Sequence, residues 1–309
     1  MLIADFNGQH TEQAMRLAQA AYDAERAHVP ALPAVQVPDL ASFAQNNLGV
    51  AAFEGNEMLG FLCAWGPRKK VFGTTPVKGV WSPSHANAAT GDKARVYHRM
   101  YQAAAQKWVN AGALSHCVTL YAHDEAAKQA WFTYGFGMRF MDAIKPLDNV
   151  TLPEGDFLEL PRERARELCG LNNLLIDHLG RTPCFLKYRH VNEKRTAANF
   201  AQPDIRVFAA RRGNRLVAYL KLCDEGESFA SRAPGMMNIC GASALPEVRG
   251  TGLVADLLRY AEATLAGEGY ARLGVDYESF NPTALGFWGK YFTAYTNAVV
   301  RRIDERGNT

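Results

Sequence analysis

No stretch of 18 uncharged apolar residues occurs in this chain of 309, so nothing in it reads as a membrane-spanning helix and no membrane partner is expected. The opening residues, Met1-Leu-Ile-Ala-Asp5, lack the basic and apolar regions of a secretory leader, which makes the cytoplasm the expected compartment. Charge of one sign is scarce as well. The formal net charge is only +3 and no basic run is interleaved with stacking aromatics, so no nucleic-acid partner is expected. The six cysteines (Cys63, Cys117, Cys169, Cys184, Cys223 and Cys240) include no Cys-x-x-Cys pair. They read as reduced, mostly buried thiols in apolar strand-like runs, and no metal is expected. Also missing is Gly-x-x-x-x-Gly-Lys-Ser/Thr, which rules out a Walker-type phosphate loop.

What is present describes a globular protein, 48% hydrophobic and 21% charged, whose length favours two domains. Its most informative stretch is 244–257, where an apolar strand from Ile239 to Leu245 runs into a turn and then at once into a helix. Gly250 and Gly252 let the backbone bend tightly and approach a ligand. The first amides of the helix lack intrahelical partners and sit at the positive end of its dipole, so they attract an anion. Arg249 adds a charged donor. A dinucleotide loop, Gly-x-Gly-x-x-Gly, is met only as a variant with Ala255 in the third place. Beyond the turn, Leu253, Val254, Leu257, Leu258, Ala261 and Leu265 share one helical face, with Asp256, Arg259 and Glu262 opposite. A strand over 270–277, a helix capped by Asn281 and started by Pro282 and carried on to Tyr291, and a last strand over 294–303 follow.

The first half repeats this plan at an offset of roughly one domain length. Hairpins are predicted around Glu54-Gly55-Asn56 and around Arg212-Gly213-Asn214, and helix 95–111 carries Tyr97, Met100, Tyr101, Ala104 and Trp108 on one face. Strand 114–121, an Asp124 cap and strand 138–144 complete the copy. The copies differ at the turn: Ser82 to Lys93 holds no Arg-x-x-Gly-x-Gly. A linker is predicted over 145–162, giving domains at 1–150 and 151–309.

The turn Arg249-Gly250-Thr251-Gly252-Leu253-Val254, with the element order around it over 239–303, resembles motif A of the GNAT acetyltransferase superfamily, Arg/Gln-x-x-Gly-x-Gly/Ala. Val254 departs from that pattern. The resemblance implies an α/β (α+β) fold of two tandem GNAT-like domains, each a mixed, mostly antiparallel central sheet flanked by helices. It implies acetyl-CoA as co-substrate, its pyrophosphate on Arg249, Gly250, Thr251, Gly252, Leu253 and Val254. Its pantetheine arm would lie along Ala242 and Ala244 and reach Asn281. The first domain is then expected to have lost cofactor binding and to serve packing, dimer contact or cleft shape.

The activity so implied is direct acetyl transfer to the amine of a small molecule. A base or a water chain must take the amine's proton: Glu278 is the first candidate, with Asp276 on the same side of its strand and Asp224, Glu225 and Glu227 in a bordering loop. The family's usual thiolate-protonating Tyr falls on Trp288, whose indole cannot release a proton, so Tyr291 is the nearest substitute. Cys240 reads as a strand residue. A non-catalytic acyl-CoA-binding sensor or scaffold is the alternative, motivated by Trp288 and the altered first turn.

Overall fold

The computed structural model describes every residue except 70, 72–76, 149, 182 and 304–309. Two units divide the chain, Met1–Met141 together with Ala294–Thr309, and Asp142–Thr293. Among the described residues no helix is long and apolar enough to cross a membrane.

The first unit begins with β1 (Leu2–Asp5), α1 (Thr11–His28) and α2 (Ala41–Ala44), followed by the hairpin β2 (Val50–Glu54) and β3 (Glu57–Leu62). Gly55, in the left-handed region at φ 59°, turns the hairpin where the sequence predicts it. Next come β4 (Trp65–Lys69), β5 (Lys78–Ser82), β6 (Asn87–Ala89), α3 (Lys93–Asn110), β7 (Ser115–Tyr121), α4 (Glu125–Thr133) and β8 (Gly137–Pro146). β1-β2-β3-β6 form one antiparallel sheet. β5 runs parallel to β7 from Gly79↔Ser115 to Ser82↔Val118. The predicted face of α3 is buried in the core beside Trp131 and Phe136, and Trp108 Nε1 donates to the Leu48 carbonyl at 2.8 Å.

The second unit holds β9 (Phe157–Glu159), α5 (Cys169–Gly180), α6 (Glu193–Phe200), β10 (Ile205–Arg212), β11 (Arg215–Cys223), β12 (Met236–Ala244), α7 (Leu253–Gly267), β13 (Arg272–Glu278) and α8 (Pro282–Trp288). Its strands follow the order β13-β12-β11-β10-β9, antiparallel from β9 to β12 and parallel between β12 and β13. The fold is therefore mixed α/β with mostly antiparallel sheets flanked by helices, as the sequence implies.

Four local expectations are corrected. The last strand, β14 (Thr293–Arg302), falls in the first unit rather than with 151–309, pairing antiparallel with β7 from Thr296↔Tyr121 to Arg302↔Ser115. All seven residues of β7 are buried, so both of its edges need backbone partners; β5 takes one and β14 the other. The stretch 145–162 is not all linker: β8 runs to Pro146, and Phe157–Glu159 pairs with β10. α8 stops at Trp288, because Gly289 loosens the helix into a turn in which Tyr291 N bonds the Trp288 carbonyl. Tyr291 is thus off the helix. Glu262 is buried rather than on a solvated face, paired with Lys145 Nζ at 2.6 Å.

His116 lies wholly inside the first unit, its Nδ1 accepting from the Tyr101 hydroxyl at 3.0 Å and its Nε2 donating to the Ala113 carbonyl at 3.3 Å. Burial lowers its pKa to about 4, against the pull of the Ala113 carbonyl and with help from Arg301, its register partner on β14. Burial lowers His85 to about 4 as well. Both stay neutral when folded and take protons near 6.5 when unfolded, so their contribution is complete above that pH and lost as the pH falls towards 4. Urea titrations should show stability falling over that window by up to about 3 kcal/mol per histidine, and His116→Asn should flatten the fall; an unchanged slope contradicts this assignment.

Candidate active site

β12 and β13 pair in parallel only from Met236↔Arg272 to Ile239↔Val275. On its other edge β12 stays with β11 to Ala244↔Ala218, with a register shift between Lys221 and Leu222 that leaves Cys240 as the bulged residue. Residues 240–244 consequently have a strand partner on one edge alone among the described residues. An extended ligand can add to the open edge, where Ala242 lies as expected.

The turn after β12 is built by its own side chains. Pro246–Val248 makes one short helical turn, Thr251 Oγ1 donates to the Val248 carbonyl at 2.8 Å, and Arg249 Nε donates to the Ala244 carbonyl at 3.0 Å. Part of Arg249 thus fixes the strand end instead of facing outward, and the Ala244 carbonyl is already engaged. Gly250 and Gly252 sit at φ 73° and 89°, a conformation that side chains disfavour. A Cβ added to either meets nothing within 4 Å, so it is the bend that requires glycine, and the space beyond is open. α7 begins at Gly252 with no side-chain cap. Among the described residues no acceptor faces the amides of residues 250–255, which include those of Leu253 and Val254. Six N–H groups at the positive end of a helix are a site for a phosphate.

The corresponding turn of the first unit is closed. α3 begins at Asp92, whose carboxylate accepts from Arg95 N at 3.1 Å. A negative charge stands where an anion would have to bind.

Beside the bulge of β12 lies a pocket of about 410 Å³ between α5, α6, β11 and β12, lined in part by Asn172, Phe200, Tyr219, Lys221, Cys240 and Gly241. Cys240 is exposed, whereas Cys63, Cys117 and Cys184 are buried as expected. The neighbouring Cys223 thiol, and then Lys221, draw the Cys240 thiol below its ordinary pKa against the effect of burial. Asp276 follows the last paired residue of β13. The residue is exposed, and desolvation of its carboxyl, followed by Asp142, Glu227, Cys240 and Glu278, raises it well above the carboxylate range.

Of the remaining expected residues, Asn281 is buried and caps α8 through Oδ1, which accepts from Ala284 N at 3.3 Å and from His178 Nε2 at 3.1 Å. Glu278 is half-buried at the end of β13. Trp288 is 6% exposed and packs edge-on against Phe287 and Phe292. Tyr291 is 37% exposed, beside Phe287. Lys221, Cys240 and His178 join the site unannounced by any sequence motif.

The family model described as Acetyltransferase (GNAT) family matches residues 176–292. Among solved structures, a GCN5-related N-acetyltransferase from Sphaerobacter thermophilus is similar over 100% of this chain and 97% of its own, with a TM-score of 0.58 and 11% identity. A GNAT-family acetyltransferase from Colwellia psychrerythraea is similar over 98% of this chain and 100% of its own, with a TM-score of 0.52 and 12% identity. A fungal multi-domain GH3 β-N-acetylglucosaminidase carrying a GCN5-related glucosamine N-acetyltransferase region is similar over 97% of this chain and 38% of that one, at TM-score 0.53 and 13% identity. Likeness at such identities is one of fold. No curated protein matches the sequence.

The thiols provide a check on the pocket. Iodoacetamide should label Cys240 first in the native protein and leave Cys63 and Cys117 untouched until unfolding, as read by peptide mass spectrometry. Prior labelling of a buried cysteine would contradict the geometry.

Proposed function

We propose that the protein is an acetyl-CoA-dependent N-acetyltransferase that acts on a small-molecule amine by direct attack, a reading supported by the GNAT family model that matches residues 176–292. The observation that carries this reading is the run of unpaired amides at 250–255, bent into place by two left-handed glycines at the mouth of an open strand edge. These amides and the terminal nitrogens of Arg249 would hold the pyrophosphate, and Ala242 and Asn281 the pantetheine arm. Bound there, acetyl-CoA supplies an acetyl group activated as a thioester.

The amine's proton is the main obstacle. An alkylamine with a pKa of about 10.4 costs about 4.6 kcal/mol to neutralise at pH 7. Asp276 is the base we assign, ahead of Glu278: its raised pKa brings it closer to neutrality, where a base works best. Glu278, Glu227 and Asp142 keep it raised. As the nitrogen–carbon bond forms and the carbon–sulfur bond breaks, the amine proton passes to Asp276 and the departing thiolate takes one from the Tyr291 hydroxyl. Trp288 fills the core behind α8.

Calorimetry with acetyl-CoA, followed by a thiol-release assay over an amine panel, tests this. One equivalent should bind per chain, and Gly252→Val should weaken binding at least about tenfold, since several contacts of about 0.3–2 kcal/mol each are lost together. Asp276→Asn should leave binding intact and lower kcat by about 10² or more, and Tyr291→Phe should lower it at least about tenfold. Binding without turnover of any amine would favour an acyl-CoA sensor instead; no binding would end both readings.

A further inference from the structure

Lys221 is the sole charged side chain among the described residues that line the 410 Å³ pocket. Its ammonium lies 5.1 Å from the centroid of the Phe200 ring and forms no ion pair with any described carboxylate. The ring holds the ammonium in the pocket, its charge left for something else. Two side-chain amides of the pocket can donate beside it, while Gln202, whose Nε2 donates to the Ala198 carbonyl at 2.7 Å, offers an acceptor. Asn172 directs its side-chain oxygen to the Tyr219 hydroxyl at 3.5 Å, which leaves its NH₂ to donate, and the Asn199 amide has no partner among the described residues. This end of the pocket therefore calls for an anion with more than one acceptor oxygen.

Past the bulge of β12 the sign reverses. Cys240 lines the pocket, and Asp276, on β13 one residue beyond the last one paired with β12, interacts with it and with Asp142, Glu227 and Glu278, although none of these carboxylates lines the pocket. Resting on the transferase reading above, we propose that the acceptor is a small amine that also carries a carboxylate. Its carboxylate lies on Lys221 with the amides of Asn172 and Asn199, and its ammonium end faces Asp276, the base. Lys221 is a specificity-determining residue on this account, and a diamine or an uncharged amine is disfavoured.

The test uses Cys240 as a reporter on the full-length protein, so that it reads the pocket with or without turnover. The rates at which iodoacetate and iodoacetamide alkylate Cys240 are compared in wild type, Lys221→Met and Lys221→Glu. A change in thiol reactivity affects both reagents alike, whereas the local charge affects only the anionic one. The iodoacetate-to-iodoacetamide ratio should fall at least about threefold in Lys221→Met and further in Lys221→Glu. β-Alanine should protect Cys240 in wild type better than β-alaninamide, and Lys221→Met should abolish that difference. Where β-alanine is acetylated, Lys221→Met should raise its KM at least about tenfold while the acetyl-CoA Kd stays within about twofold. Equal alkylation ratios in the three proteins, or equal protection by the two β-alanine compounds, would overturn the proposal. Failure of wild type to bind acetyl-CoA would instead overturn the transferase reading, with the alkylation ratio still reporting the anion site.

Discussion

An α-helix leaves its first amides without carbonyl partners, and how a protein fills that vacancy decides what the helix end can do. The two copies of one plan in this chain fill it differently. α3 turns inward on itself through the Asp92 carboxylate, while α7 starts from Gly252 with nothing in reach of its leading nitrogens. The turn that presents those nitrogens is stiffened locally by Thr251 on Val248 and Arg249 on Ala244. A single residue type at the cap therefore separates a closed turn from one open to an anion.

The second constraint is the parting of β12 from β13. Both strands are buried where they pair, and past Ile239 and Val275 they separate because the bulge at Cys240 turns β12 onto β11. That one irregularity opens an edge for an extended ligand and exposes a thiol in the pocket that Lys221 also lines. The carboxyl of Asp276, an exposed residue, is raised by desolvation and by the neighbouring Asp142, Glu227, Cys240 and Glu278.

Local chemistry was legible in the sequence, and long-range geometry was not. Gly55 and Gly213 marked their hairpins, the faces of α3 and α7 followed from a period of 3.6, and Asn281 announced its cap. The phosphate turn was readable because glycines, an arginine and a helix start all fall within six residues. Strand exchange was not readable, since β14 matches β7 only through pairing across some 180 residues, which leaves no local pattern. Alternation places Glu278 and Asp276 on one face and does not rank them as bases. Tyr291 was assigned to a helix that Gly289 ends first.

Hydrogen exchange read by peptide mass spectrometry, with and without acetyl-CoA, bears most directly on whether the α7 turn is the nucleotide site. The amides of residues 250–255 should slow at least about tenfold on binding while those of 91–95 stay unchanged. Protection at the α3 turn, or none at the α7 turn under saturating ligand, would contradict the account.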